Sequence, residues 1–354
     1  MQFSKVSWIV LFFSITISSI SLISVIFPAL IAETVSNNGL EELGISQHEE
    51  NPFQTGPLAI LLIFTNIIIF GTYFLRNRFP NKIFKSFKKG IRFNPSTKVT
   101  TISIIIILSA YIILTIPELE KSEEFKDIIG IEKRLNESIR DDRFTFEDAI
   151  SGNQNYSLAE PHVKYSILLI SEKVFGDFRI IAFFASVSLL LLTYLITNAI
   201  TNNRFAGLVA LLLVVQSNLF LSFDTSAVYS NFWILFYLLS LYLLVKVWFA
   251  TPILFGISIF CKMLTAIFTP MSIFFILNSE ISNSQKIIIS SIIVILLIVG
   301  GIIFLGTQES DKLTSFEIDR FWESFASFAF QMRLDIITVL FLLPLIFGLF
   351  LSSK

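Results

Sequence analysis

The longest polar stretch of the chain spans residues 117–179 and reads PELEKSEEFKDIIGIEKRLNESIRDDRFTFEDAISGNQNYSLAEPHVKYSILLISEKVFGDFR. Twelve carboxylates lie between Glu118 and Glu160. Long apolar segments precede and follow this stretch. We therefore expect any chemical site of the protein to draw on these carboxylates, with the apolar segments as its scaffold.

The composition indicates a membrane protein. Hydrophobic residues make up 54% of the 354 residues, and charged residues make up only 15%. A soluble domain of this size cannot cover so much apolar surface, and most of it must face lipid or pack between membrane helices. The single cysteine, Cys261, excludes a disulfide within one chain. The histidines His48 and His162 lie far apart, and no basic footprint for nucleic acid is present. The sequence predicts no metal site, no cofactor and no nucleic-acid partner.

The uneven distribution of Lys and Arg predicts the orientation. Residues 33–56 contain five glutamates and no Lys or Arg, whereas residues 76–98 contain eight Lys or Arg and no carboxylate. Basic loops remain in the cytoplasm. This places both chain termini and the basic loop inside, and the loops 33–56, 117–179 and 307–333 on the external face of a cell membrane.

The predicted fold class is all-α, a polytopic integral membrane protein with about eight full spans and one broken helical hairpin. The full spans are 6–32, 57–75, 99–116, 180–200, 205–221, 232–245, 287–305 and 336–351. The first of them is also compatible with a signal peptide, although it is long enough to span. We predict three domains, namely an N-terminal two-span extension (1–98), a membrane core (99–306) and a last loop with its span (307–354).

The segment 251–278 is the ambiguous one, because Lys262 and Pro270 interrupt it. Since Lys246 and Lys286 are both predicted to be cytoplasmic, the segment has to enter and leave by the same face. Two short helices that meet near Lys262 satisfy this parity, whereas a single span breaks it.

The external loop is predicted to carry amphipathic helices. Ser122 can cap a helix whose first turn contains Glu123 and Glu124, the charge that a helix N-terminus favours. Residues 165–175 are apolar but too short to cross, and they predict a second external helix that ends at Gly176.

Several motifs of this region resemble a known family when they are taken in order. SEEFKDIIGIEKRLNES (122–138) and EPHVKYSILLISEKVFGDFRIIAFFASVSLLLLTYLITNAI (160–200) resemble the GT-C type membrane glycosyltransferases, which include the protein mannosyltransferases and the aminoarabinose transferase-like proteins. In that family an acidic pair opens an external helix, a His-Pro or Glu-Pro-His element precedes a short helix, and Phe-Gly-Asp-x-Arg begins the next span. FGISIFCKMLTAIFTP (255–270) looks like the family's hairpin, with Lys262 and Pro270 at its Lys and Pro positions. The resemblance covers roughly residues 100–280.

The resemblance implies a membrane glycosyltransferase that moves a sugar from a polyprenyl-phosphate donor to an external protein, lipid or glycan acceptor. The candidate catalytic residues are Glu123, Glu124 and Asp224. The candidate substrate-binding residues are His162, Arg179, Lys262, Glu118 and Glu120. Asp224 lies several residues before 229–231, where the family commonly has its second acid. Lys262 is the candidate cation for the donor phosphate.

Each of these residues also has a structural interpretation. The glutamates at the start of the loop can simply keep it in water. Lys262 can snorkel towards an interface, and Arg179 can anchor the end of a span. The alternative function is a non-catalytic GT-C-like protein that acts as a scaffold or subunit of a membrane complex, and the sequence leaves open whether the protein is an enzyme.

Overall fold

The computed structural model describes residues 5–27, 53, 55–75, 94–119, 121, 162–227, 230–306 and 335–352. All regular elements in these ranges are helical, which agrees with the predicted all-α class. The helices are α1 (Lys5–Ile26), α2 (Ala59–Leu75), α3 (Thr97–Leu119), α4 (His162–Phe175), α5 (Arg179–Thr201), α6 (Arg204–Val215), α7 (Asn218–Phe223), α8 (Phe232–Lys246), α9 (Ala250–Cys261), a 3-10 helix (Met263–Phe268), α10 (Thr269–Asn278), α11 (Asn283–Gly306) and α12 (Ile336–Ser352).

The chain divides into two compact units. The first contains α1, α2 and α12 together with Ser217–Leu219. Its core joins Leu22 of α1, Leu62 of α2 and Val339 of α12. The side-chain amide of Asn66 bonds to the carbonyl oxygens of Leu62 at 2.8 Å and Leu340 at 3.4 Å, which ties α2 to α12.

Helix α1 buries serines and exposes large apolar residues. Its buried polar residues are Ser7, Ser14, Ser18 and Ser21. On its other face Trp8 and Phe12 are exposed, Phe12 by 73%. A water-soluble helix shows the reverse pattern. Small hydroxyl residues between helices and large apolar residues outside are typical of helices surrounded by lipid.

The second unit contains α3 to α6, the end of α7 and α8 to α11. Helices α8 and α9 pack antiparallel, because the Ser258 hydroxyl donates to the Trp233 carbonyl at 2.7 Å and the Thr251 hydroxyl donates to the Ser240 carbonyl at 3.2 Å. Interhelical hydroxyl bonds of this kind are common where the surroundings offer no water. They fix Cys261, at the end of α9, beside the start of α8.

Helices α5 and α6 approach closely at Gly207. A Cβ atom at this position would lie 2.7 Å from the ring of Tyr194. Only a glycine permits this separation of the two helices, which leaves the Tyr194 ring buried against α6. The turn between them contains Asn202 in the left-handed region (φ 52°), and the side chain of Asn203 caps α6.

Two of the described helices, α3 and α5, are long and apolar enough to cross a membrane, each with 23 residues. Of the roughly eight full spans that the sequence predicts, two thus have clear candidates in the described ranges. The other spans stay predictions. The span predicted at 205–221 is two helices instead, because α6 ends at Val215 and α7 begins at Asn218. The polar residues 216–218 explain this break. The interruption predicted at Lys262 is present, since α9 ends at Cys261 and a 3-10 helix follows.

Candidate functional site

The corner between α4 and α5 explains the motif Phe-Gly-Asp-Phe-Arg in structural terms. Gly176 has a φ of 72°, which glycine adopts without strain, and its N–H bonds to the Glu172 carbonyl at 2.8 Å to close α4. A carboxylate oxygen of Asp177 then accepts the backbone N–H of Arg179 at 2.7 Å. The Ser171 hydroxyl donates to the Asp177 carbonyl at 2.7 Å. These bonds therefore fix the direction in which the Arg179 side chain extends from the start of α5.

The Arg179 guanidinium is buried and makes five hydrogen bonds to other parts of the protein. Its Nε donates to the Thr225 carbonyl at 3.1 Å, and one terminal nitrogen donates to the Thr225 hydroxyl at 3.0 Å. The other bonds go to the carbonyls of Glu118 at 3.0 Å, Leu119 at 3.3 Å and Lys121. A guanidinium has five N–H donors. Carbonyl and hydroxyl groups of the protein thus accept all five N–H donors of Arg179.

These bonds stabilise a helix end that is weak on its own. Pro117 lies in the last turn of α3 and has no N–H to donate to the preceding turn. The last carbonyls of a helix have no partner within it, and they form the negative end of the helix dipole. The Arg179 cation satisfies these carbonyls and complements the dipole. No carboxylate forms an ion pair with Arg179 in the described ranges, where Lys121 and Glu118 make an exposed pair at 2.8 Å.

Asp224 is also buried and forms the second polar contact of this region. One of its carboxylate oxygens accepts the Tyr111 hydroxyl of α3 at 2.7 Å. The Ser186 hydroxyl of α5 donates to the Asp224 carbonyl at 2.7 Å, and the side-chain amide of Asn231 donates to Ser186 at 3.1 Å. Asp224 and Thr225 are adjacent in the chain. The polar cluster around Arg179 and the polar cluster around Asp224 are therefore continuous. Together they connect α3, α5 and the segment between α7 and α8.

Burial raises the pKa of Asp224 from its ordinary value of 3.8 to about 6, while the hydrogen bond from Tyr111 acts in the opposite direction. The carboxyl group is only 3% exposed, and the loss of water disfavours its charged form. The raised pKa keeps the protonated form of Asp224 present at higher pH than for an ordinary aspartate. A group with this property can serve as an acid or a base, although its environment here is closed by protein contacts.

Lys262 lies at the interruption between α9 and the 3-10 helix. Its extended backbone (φ −158°, ψ 113°) ends α9, and its ammonium lies 5.4 Å from the centre of the Trp233 ring. Trp233 also stacks on Phe268, with ring centres 6.1 Å apart. Within the described part of the chain the Lys262 ammonium meets this aromatic face and no hydrogen-bond acceptor. A half-buried cation on an indole retains its donors for a further partner.

The two polar clusters and Lys262 lie at the same end of the second unit. One hydrophobic cluster contains Ala227, Phe232 and Cys261. Ala227 lies three residues after Asp224, Phe232 directly precedes Trp233, and Cys261 directly precedes Lys262. The first turn of α4 adds the cation Lys164, whose neighbours Val163 and Tyr165 pack against the same hydrophobic cluster. The fold thus brings the Asp224 segment and the break at Lys262 together around one core.

The described ranges contain only some of the residues predicted from the sequence. Asp224, Arg179 and Lys262 lie at this end of the unit, as just described. The Glu118 side chain is exposed in its pair with Lys121. His162 begins α4, but its side chain lies outside the described part. Glu120, Glu123 and Glu124 also lie outside the described residues.

Sequence reasoning missed Tyr111 and Thr225, which bond to the side chains of Asp224 and Arg179, and it missed Ser186 and Asn231, which support the backbone carbonyl of Asp224. Tyr111 could have been identified from the sequence, since it is a single tyrosine within a run of Ile and Leu. A buried tyrosine hydroxyl usually has a hydrogen-bond partner. Lys164 was equally visible two residues after His162. Serine and threonine, in contrast, occur too often in apolar helices to be singled out.

No protein-family model matches this chain, and no curated protein or solved structure is significantly similar to it.

Proposed function

We propose that the protein is a polytopic membrane glycosyltransferase that transfers a sugar from a polyprenyl-phosphate donor to an acceptor on the external face. One observation carries the proposal. The end of α3, which precedes the acidic stretch in the sequence, and the cation Lys262 belong to one end of the second unit. Carboxylates and a phosphate-binding cation are the groups that this reaction needs.

The surface of the described helices supports a membrane location. Phe74 is exposed by 81% and Leu114 by 76%, whereas Ser186 and Ser258 are fully buried. Exposed apolar side chains around a hydroxyl-rich interior fit a lipid environment. The proposal includes about eight passes, with α9 and α10 as a hairpin that enters and leaves by the cytoplasmic face.

In the proposed reaction a carboxylate takes the proton of the acceptor hydroxyl. The hydroxyl oxygen forms a bond to the anomeric carbon of the sugar, and the bond from that carbon to the phosphate oxygen breaks. The polyprenyl phosphate leaves with the bonding electron pair, and a cation stabilises the charge that develops on it. We assign the base to Glu123 or Glu124 and the cation to Lys262.

The base is assigned to the acidic pair because Asp224 is enclosed. Asp224 is bonded to Tyr111 and is 3% exposed, and it cannot reach a substrate without breaking that contact. Glu123 follows Lys121 by only two residues, and the Lys121 carbonyl is bonded to Arg179. The acidic pair therefore follows closely in the sequence after a residue that Arg179 binds.

A transfer assay tests this proposal. The purified protein in lipid vesicles is given polyprenyl-phosphate sugars and candidate hydroxyl acceptors. The double variant Glu123→Gln, Glu124→Gln should lose about 10²–10⁴-fold in rate, since that is the usual contribution of a general base. Lys262→Met should raise the KM for the donor. Glu280→Gln is the matched control, because this exposed carboxylate lies between α10 and α11 and belongs to no candidate site, and the variant should remain active. Full activity of the double variant would reject this assignment of the base.

Cysteine labelling tests the proposed topology. In a variant in which Cys261 is replaced, single cysteines at positions 45, 145 and 315 should react with an impermeant reagent added outside. Cysteines at positions 88 and 283 should not. External labelling at position 283 would exclude the hairpin, because the parity of the passes would then be different.

A second candidate function is a non-catalytic scaffold or subunit of a membrane complex. The contacts of Arg179 and Asp224 favour it, since both side chains are buried and bonded to other parts of the protein. This candidate predicts that polyprenyl phosphate binds no better to the wild-type protein than to Lys262→Met. A binding difference between the two proteins would favour the transferase.

A further inference from the structure

We propose that Arg179 is a positioning residue that couples the end of α3 to the segment 224–227, and that the two segments therefore move as one body. The inference concerns the described residues alone and holds whether or not the protein is a transferase. It assigns a specific task to a guanidinium that sequence analysis places among the substrate-binding candidates.

The coupling follows from how the five donors are divided. Three carbonyls of residues 118–121 bind one side of the guanidinium, and the carbonyl and hydroxyl of Thr225 bind the other side. A guanidinium is planar and rigid, and its N–H groups point in fixed directions. A displacement of Thr225 therefore has to displace the end of α3 or break charge-assisted hydrogen bonds. Tyr111 and Asp224 provide a second link between the same two segments at 2.7 Å.

The corner at Gly176 supplies the fixed base of this coupling. Ser171 receives the Ile181 N–H at 3.1 Å and donates to the Asp177 carbonyl at 2.7 Å, which binds the start of α5 to α4. The backbone of Arg179 is held by Asp177. The guanidinium consequently acts from an anchored position, and its contacts transmit displacement between α3 and Thr225.

The other end of α3 offers a matched comparison. The Arg204 guanidinium donates to the Pro95 carbonyl at 3.2 Å, and the Arg204 N–H donates to the side chain of Asn94 at 3.2 Å. Both acceptors directly precede α3. Arg204 therefore holds the beginning of the helix through few bonds, and Arg179 holds its end through many.

Hydrogen exchange of the full chain in lipid nanodiscs tests the coupling. Arg179→Gln should accelerate exchange about tenfold or more in the peptides 111–121 and 222–227, because charge-assisted hydrogen bonds are lost on both sides. Exchange in 94–104 should stay unchanged. Arg204→Gln should give the opposite pattern, with faster exchange in 94–104 only. Arg179→Lys should restore part of the protection, since an ammonium has three donors in place of five.

Thr225→Val distinguishes coupling from a merely structural role. It removes only the hydroxyl acceptor at residue 225, and it should still accelerate exchange at the end of α3. It also decides the question if the Arg179 variants do not fold. Unchanged exchange in 111–121 of Thr225→Val would overturn the proposal. Acceleration spread evenly over α3 in Arg179→Gln would overturn it too, because that result indicates general destabilisation.

Discussion

Arg179 and Lys262 are two cations at the same end of one unit, but their surroundings differ. The protein fills all the donors of Arg179 with carbonyls and a hydroxyl. Lys262 instead lies over the Trp233 ring, which contributes attraction without taking an N–H. The comparison shows that burial of a charge does not by itself indicate a binding site. The number of donors that remain available is the more informative property.

Substitutions of Arg179 and Lys262 should differ most in their effect on the free energy of unfolding. Arg179→Met removes five hydrogen bonds to a charged donor group, four of them to backbone carbonyls, and we expect it to lower the free energy of unfolding by about 3–5 kcal/mol. Lys262→Met removes a partly desolvated charge and no hydrogen bond to a described residue. We expect its free energy of unfolding to stay within about 1 kcal/mol of the wild-type value. Thermal unfolding followed by tryptophan fluorescence in nanodiscs measures both.

An equal loss of stability in both variants would remove the contrast, since Lys262 would then also have a structural role. Arg204→Met is the control for loss of an arginine at the other end of α3. Because Arg204 donates to one carbonyl, we expect an effect well below that of Arg179→Met.

Asp224 extends the comparison to pH, because it belongs to the cluster that surrounds Arg179. Its pKa in the folded protein, about 6, lies above its ordinary value of 3.8. Between these values the folded state keeps a proton that the unfolded state releases, and stability falls as pH rises through this window. Asp224→Asn replaces the carboxyl group with an amide that does not titrate, and its stability lacks this pH dependence. Relative to this variant, the wild type should lose roughly 2–3 kcal/mol between pH 4 and pH 7.

Tyr111→Phe sharpens this test. The Tyr111 hydroxyl lowers the pKa of Asp224, and its removal should raise that pKa further. The loss of stability should then continue to a higher pH than in the wild type. Unfolding measured across pH 4 to 8 for the three proteins checks the order. Parallel curves for the wild type and Asp224→Asn would show that Asp224 is ionised at a normal pKa.

The smallest expected effect concerns the aromatic contact of Lys262. A double-mutant cycle of Trp233→Leu and Lys262→Met should give a coupling energy of about 0.5–2 kcal/mol, the range of a partly desolvated cation–π contact. Trp248→Leu with Lys262→Met is the control, and its effects should add within about 0.5 kcal/mol. Additive effects in the Trp233 cycle would mean that Lys262 does not use the ring in the membrane.

Local features of this site could be predicted from the sequence. Gly176 and Asp177 predicted the end of α4 and the start of α5, since glycine at positive φ and an aspartate at a helix start act within a few residues. Lys262 predicted the break after α9, because a charge inside an apolar segment interrupts its pattern. Residues 205–221 were predicted as one continuous segment but form two helices, because hydrophobicity summed over a window hides the short polar break after Val215.

The pairing of the charges could not be predicted in this way. The roles of Glu123, Glu124 and Lys262 in transfer stay predictions that the assays above address. The sequence shows Arg179 as a charge at the start of a span, but nothing near it in the chain identifies the carbonyls that it binds.

The sequence by itself determined the helical class, the apolar segments and the position of the break at Lys262. These depend on composition and on contacts between residues a few positions apart. Only the tertiary structure decided that Arg179 meets Thr225, 46 residues away, and that Tyr111 meets Asp224, 113 residues away. Helix packing sets such contacts through shape, as at Gly207, and a single sequence carries no local signal of which distant surface a side chain will face.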